Sequence, residues 1–118
     1  MAITIYHNPR CSKSRKTLAI IEETGISPRV VRYLDEPLAA TEILALSGQL
    51  GHPVRNLLRR GETAFKDATD LPDLNDDVAL ATWLEEHPIV LERPIVVDST
   101  SGRAIIGRPP ERVAELLR

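Results

Sequence analysis

Apolar and polar residues alternate between short extended runs and helical stretches along this chain. Ile3-Thr4-Ile5-Tyr6 reads as a buried first strand, followed by a turn at His7-Asn8-Pro9-Arg10. Leu18, Ile20 and Ile21 then give Ser12 to Thr24 a helical pattern, which Gly25 ends. Ser27-Pro28 introduces a second strand over Arg29-Val30-Val31-Arg32-Tyr33, closed by a turn at Asp35-Glu36-Pro37. Thr41 is the expected N-cap of a helix reaching about Gln49, and Gly51-His52-Pro53 breaks it. Val54 to Arg60 reads as a further helical piece ending at Gly61. Residues 62–75 carry no clear period, and Leu71-Pro72-Asp73 argues for a loop near their end. Asn75 or Asp76 caps a helix through Trp83 to about Glu86, which stops before Pro88.

Pro94-Ile95-Val96-Val97 and Arg103-Ala104-Ile105-Ile106 are expected to form an antiparallel hairpin across the turn-rich Asp98 to Gly102. Pro109-Pro110 opens a last helix with Val113, Leu116 and Leu117 on one face. The order is β-α-β, a helical insertion, a β-hairpin and a C-terminal helix. That is the order of an α/β protein with a thioredoxin-like core, and the whole of 1–118 is expected to be one domain. A fold by itself names no reaction.

Composition narrows the classes of function. Fifteen basic and seventeen acidic residues leave a net charge of −2, which recommends neither nucleic acid nor an anionic membrane as partner. No apolar run approaches the roughly 20 residues of a membrane span, and no basic-then-apolar N-terminal segment marks export, so a cytoplasmic location is expected. The chain has one cysteine, Cys11, and so no internal disulfide. If Cys11 is oxidised in a reaction, a thiol from outside must restore it.

Cys11 stands at a strand-to-helix turn, where unpaired N–H groups and the positive end of a helix converge. That field favours thiolate and can also hold an oxyanion. A lone cysteine in ordinary surroundings is a small buried hydrophobe. Here Arg10, Lys13, Arg15 and Lys16 surround it, and they favour the reactive reading. His7 is a candidate to stabilise the thiolate, as imidazolium or by hydrogen bonding, or else to hold the turn. Ser14 either donates to the thiolate or caps the helix.

Arg93, Arg108 and Arg59 come from separate segments, and each brings a planar fork of donors suited to a tetrahedral oxyanion. The competing readings are a solvated Arg93 and a helix-end role for Arg59 and Arg60. Pro94 opens a strand at the position where thioredoxin-like proteins hold a cis-proline beside the active cysteine. His52 and His87 adjoin prolines at helix ends, and Trp83 reads as core. The three histidines and Cys11 lack metal-ligand spacing, so no metal is expected. Asp70, Asp73, Asp76 and Asp77 lack the calcium-loop pattern and read as loop and capping residues. No nicotinamide, flavin or phosphate-loop motif appears, so no bound cofactor is expected.

The segment ITIYHNPRCSKSRKTL (Ile3 to Leu18) resembles the active-site segment of the ArsC-type, glutaredoxin-linked arsenate reductases. VRNLLRRGE (Val54 to Glu62), HPIVLERPIVV (His87 to Val97) and GRPPERV (Gly107 to Val113) extend the resemblance over essentially the whole chain. It implies Cys11 as nucleophile, Arg59, Arg93 and Arg108 as anion-binding arginines, and His7 and Ser14 as groups that help activate the thiolate. It also implies arsenate as substrate, glutathione as co-substrate and glutaredoxin as reducing partner. Ser-Lys-Ser-Arg after the cysteine, where those reductases typically carry Gly-Thr-Ser-Arg, and the short ending resemble a sister YfgD-like branch. Two other expectations stay open: a thiol-disulfide or glutathionylation-linked oxidoreductase, and a redox-sensing adaptor of the Spx type. The latter typically uses a Cys-x-x-Cys switch, and position 14 here is serine.

Overall fold

Four short strands supply the frame in the computed structural model, which describes residues 2–117. They are β1 (Ile3–Tyr6), β2 (Arg29–Val31), β3 (Ile95–Asp98) and β4 (Arg103–Ile106), in the order β2-β1-β3-β4. β1 pairs parallel to β2 and antiparallel to β3, and β3 pairs antiparallel to β4. The register puts Ile5 opposite Val96 and Val96 opposite Ile105, so one apolar row crosses the sheet. The parallel β1–β2 pair needs a crossover, which helix α1 (Ser12–Glu23) provides.

The chain forms two compact units: Met1–Glu36 with Arg93–Arg118, and Pro37–Glu92. In the first, α1 and the closing 3₁₀ turn Pro110–Glu115 pack together, and Ile21, Val113 and Leu116 join Ile3, Ile5, Val96 and Ile105 in one core cluster. Each such side chain contributes about 1.5–3 kcal/mol by leaving water. α1 buries Ser14, Thr17 and Ile21 on a single face and ends where Gly25 takes a left-handed φ of +89.

The second unit holds α2 (Ala40–Leu50), a 3₁₀ turn Val54–Leu57, α3 (Thr63–Lys66), α4 (Asp77–Glu86) and a 3₁₀ turn Pro88–Val90. α2 packs on α4, with Ile43, Leu46, Leu80 and Leu84 buried. The aspartates between Asp70 and Asp77 are spent on this framework. Asp76 caps α4 at Ala79 N, Asp77 accepts from Val54 N, and Asp70 accepts from the buried Trp83 indole. His87 stacks on Trp83, with ring centroids 4.0 Å apart.

Several sequence expectations shift. β2 ends at Val31 rather than Tyr33, because Arg32 O accepts from both Asp35 N and Glu36 N and turns the chain. The cap of α2 is Ala39, not Thr41; Ala39 N donates to Glu42, and Glu85 from α4 accepts Ala40 N at 2.8 Å. Val54 to Arg60 is helical only through Leu57. Leu58 is extended and bridges to Leu91, flanked by Arg59 N to Val90 O and Glu92 N to Leu57 O. The last helix is 3₁₀, and its buried Pro110, Val113 and Leu116 recur every third residue, as three residues per turn require. Among the described residues no helix is long and apolar enough to cross a membrane.

Gly107 joins β4 to the Arg108 corner at a point where nothing larger fits. A Cβ there would meet Thr17 Oγ1 at 2.6 Å and Pro94 Cγ at 2.9 Å. Thr17 is fully buried and tied to Lys13 O at 2.8 Å, so it has little room to retreat. Gly107→Ala is expected to cost about 1–3 kcal/mol of unfolding free energy in urea, and Thr17→Ala in the same chain should recover part of it. An unchanged urea midpoint for Gly107→Ala would refute the close contact.

Candidate active site

The turn that carries Cys11 is built by its own backbone. Cys11 N donates to Asn8 O at 3.0 Å, Arg10 N donates to Asn8 Oδ1 at 3.0 Å, and Arg15 Nη1 reaches back to Pro9 O at 2.9 Å. Below the turn, Ser14 Oγ pairs with His7 Nδ1 at 2.6 Å and accepts Asn8 N at 3.1 Å. His7, Asn8 and Ser14 are all buried, so the loop is locked from within. His7 N donates to Val31 O at 2.8 Å, which anchors the loop's start to the sheet.

Cys11 is the N-cap of α1, in extended conformation and partly exposed. Its side chain lacks the geometry of a full cap hydrogen bond, yet first-turn N–H groups act on the sulfur. Burial pushes the Cys11 thiol up. Against it work the Ser14 N–H, the Arg93 guanidinium donating to the sulfur, the Lys13 N–H and the Arg93 charge; together they hold the thiol below its ordinary range. Arg93 is itself 8% exposed, so its charge acts where water screens little. Arg108 Nη1 donates to Arg93 O at 3.1 Å, bringing the second arginine to the same corner. The Arg93–Pro94 and Arg108–Pro109 bonds are both cis.

The structure thus brings Cys11, His7, Ser14, Arg93, Pro94 and Arg108 into one unit. Arg59 belongs to the other unit, where its guanidinium pairs with Glu62 at 3.3 Å and Glu92 at 3.0 Å. Two roles read differently from the expectation. The hydroxyl of Ser14 is engaged by His7 and Asn8, and its backbone N–H is the group that favours the thiolate. Burial, with the charges of Arg32 and Arg15, lowers the His7 pKa, so neutral imidazole is the favoured form and the imidazolium role is not. Asn8, which the sequence offered only as part of a turn, is the hub of the loop; the Asn-Pro pair before the cysteine was its one signal. No group of three or more His, Cys, Asp or Glu among the described residues could hold a metal ion.

Fold and site define a thioredoxin-like protein organised around a single cysteine at a helix N-terminus, its thiol held below the ordinary range. The chain belongs to the ArsC family, whose family model matches residues 6–116. It is 42% identical over 117 residues to the arsenate reductase of Neisseria meningitidis serogroup A, covering 98% of this chain and 97% of that one. It is likewise 42% identical over 116 residues to YfgD, an uncharacterized protein of Escherichia coli K12, covering 98% and 96%. The solved structure of an arsenate reductase from Vibrio cholerae superposes with a TM-score of 0.86 at 44% identity, covering 98% and 97%.

Two outcomes follow from this electrostatic arrangement. Arg93→Ala should slow iodoacetamide alkylation of Cys11 at neutral pH by roughly tenfold, the equivalent of about 1.4 kcal/mol and near the low end for a hydrogen bond to a charged group. An unchanged rate would mean that Arg93 does not sustain the thiolate. For His7 the folded pKa lies below the unfolded value of 6.5. Between the two, only the unfolded chain takes up a proton, so His7 draws stability down as pH falls through that window. The stability advantage of the native chain over His7→Gln should therefore shrink between about pH 7.5 and about pH 5 in urea titrations. A constant difference would contradict a buried neutral His7.

Proposed function

We propose that this protein is an arsenate reductase in which the Cys11 thiolate attacks arsenic and outside thiols supply the electrons. One arrangement carries the reading: Cys11 caps α1, the Arg93 guanidinium favours its thiolate, and Arg108 Nη1 donates to Arg93 O at 3.1 Å, so the nucleophile and two candidate anion-binding arginines share one corner. The names of the Neisseria and Vibrio relatives support arsenate as the substrate.

In the first step an As–S bond forms and an As–O bond breaks, the oxygen leaving as water with protons from solvent. Arg93 and Arg108 hold the oxyanion, with the first-turn N–H groups beside them as further donors. Arg59 is assigned to the same anion by the family pattern alone. His7 and Ser14 hold the loop that presents the sulfur. Glutathione then replaces a second oxygen on arsenic, again with loss of water. The thiolate of glutaredoxin attacks the glutathione sulfur, the S–As electron pair passes to arsenic, and As(V) becomes As(III). Glutathione departs as a mixed disulfide on glutaredoxin. Hydrolysis of the remaining Cys11–arsenic bond releases arsenite and restores the thiolate. No cofactor is held. Such thiol traffic requires a reducing compartment, which suits the cytoplasm.

The test is arsenate-dependent NADPH oxidation, coupled through glutathione reductase, with glutathione and glutaredoxin present. Cys11→Ser should fall to background, and Arg93→Ala or Arg108→Ala should lower kcat/KM for arsenate by about 10²–10³-fold. Folded native protein with an alkylatable Cys11 but no arsenate turnover would exclude arsenate and leave thiol-disulfide exchange. In that alternative chemistry, loss of Arg108 would hardly matter.

A further inference from the structure

Beside the cysteine turn lies a cleft of about 410 Å³, within the range of small-ligand sites, about 300–1,000 Å³. One wall is Asn8, Pro9 and Arg10; the other is Arg32, Leu34 and Asp35, from the turn that ends β2. Two tethers fix the walls. His7 N binds Val31 O, and Asp35 N and Glu36 N both bind Arg32 O. Leu34 gives the cleft a half-buried apolar patch, whereas Arg10, Arg32 and Asp35 are exposed. Among the described residues, these three charged side chains make no hydrogen bond or ion pair. The Arg32 charge reaches into the cleft, since it opposes protonation of His7 in the wall. Cys11 is the next residue after Arg10, and its N–H is tied to Asn8 O.

The cleft therefore presents two guanidinium groups, one carboxylate and a small apolar surface, and one of its walls ends at the residue before the only cysteine of the chain. A simple oxyanion would be drawn to the arginines but repelled by Asp35. A peptide with two carboxylates and one ammonium group meets all three charges with opposite sign. The lone cysteine calls for an outside thiol, and a γ-glutamyl-cysteinyl-glycine tripeptide has this charge set with a thiol between its ends.

We propose that this cleft seats the reducing tripeptide thiol, with Arg10 and Arg32 holding its carboxylates and Asp35 its ammonium group. The cysteinyl sulfur is thereby delivered toward Cys11. The assignment rests on the reductase reading for its chemistry, but the binding itself does not require arsenate.

The test uses S-methylglutathione, which binds without reacting, titrated into the full-length native chain by calorimetry and by amide NMR shifts. Saturable binding is expected, with the largest shifts at Asn8, Arg10, Arg32 and Leu34, and it should weaken as salt is raised. Arg10→Ala and Arg32→Ala should each raise Kd about fivefold, the scale of an exposed ion pair. Asp35→Asn should raise Kd for S-methylglutathione but not for its analogue lacking the α-amino group. Shifts confined to other surfaces, or a Kd indifferent to all three substitutions, would overturn the cleft. So would arsenate turnover whose KM for glutathione is unchanged in Arg32→Ala and Asp35→Asn, although the reductase reading would then stand. Binding at the cleft without any arsenate turnover would support the cleft and sink the reductase reading.

Discussion

The surroundings of one sulfur tie together the elements of the first unit. Burial alone would keep Cys11 protonated, and that is the largest influence on it. The thiolate is favoured because several donors act together: two N–H groups of the first turn of α1 and one guanidinium. Backbone donors can do this only if the helix begins at Cys11 and nowhere else. The loop fixes that start through Asn8, which bonds Cys11 N with its carbonyl, Arg10 N with its side chain, and Ser14 Oγ with its own N–H. Once formed, this turn sets the first-turn N–H groups against the sulfur.

Hydrogen bonding outranks bulk charge in this balance. The Arg93 charge acts on Cys11 less than the hydrogen bond from the same side chain, and the side-chain charges of Arg10, Lys13, Arg15 and Lys16 are not among the leading causes. Those four residues are exposed and solvated, where water and salt screen them. Arg93 differs because it is buried, at the entry to β3, with its carbonyl held by Arg108. Its guanidinium acts on the sulfur from a position fixed by burial, so the donor is in place before any ligand arrives.

Much of this was legible in the residues. The strand-turn-helix around Cys11, the hairpin of β3 and β4, and the cap at Asp76 follow from local patterning, and local bonds make them. The cationic run beside Cys11 is not what favours its thiolate, since the leading groups are Arg93 and main-chain N–H donors that residue type does not reveal. Thr41 failed as a cap because the carboxylate of Glu85, 45 residues beyond Ala40, satisfies the N-terminus of α2. The period-three rows Val54–Leu57 and Pro110–Val113–Leu116 did announce 3₁₀ turns, but in short segments they resemble one face of an α-helix. The Glu92 partner of Arg59 could not be read either, because it lies 33 residues on.

The corner after β4 shows how packing serves the chemistry. Gly107 lets the chain pass against Thr17 of α1 and the ring of Pro94, and Gly107 N donates to Pro94 O at 2.9 Å. The next residue, Arg108, returns a hydrogen bond to Arg93 O. One glycine thus couples the helix that polarises Cys11, the strand entry that carries Arg93 and the corner that carries Arg108. A methyl group at that point would push on all three together. The spacing in GRPP is therefore as much a statement about the position of a guanidinium as about the end of a strand. The cost of the arrangement is a chain without spare room at its active corner. Its return is that donors from two distant segments, the first turn of α1 and the entry to β3, meet one sulfur.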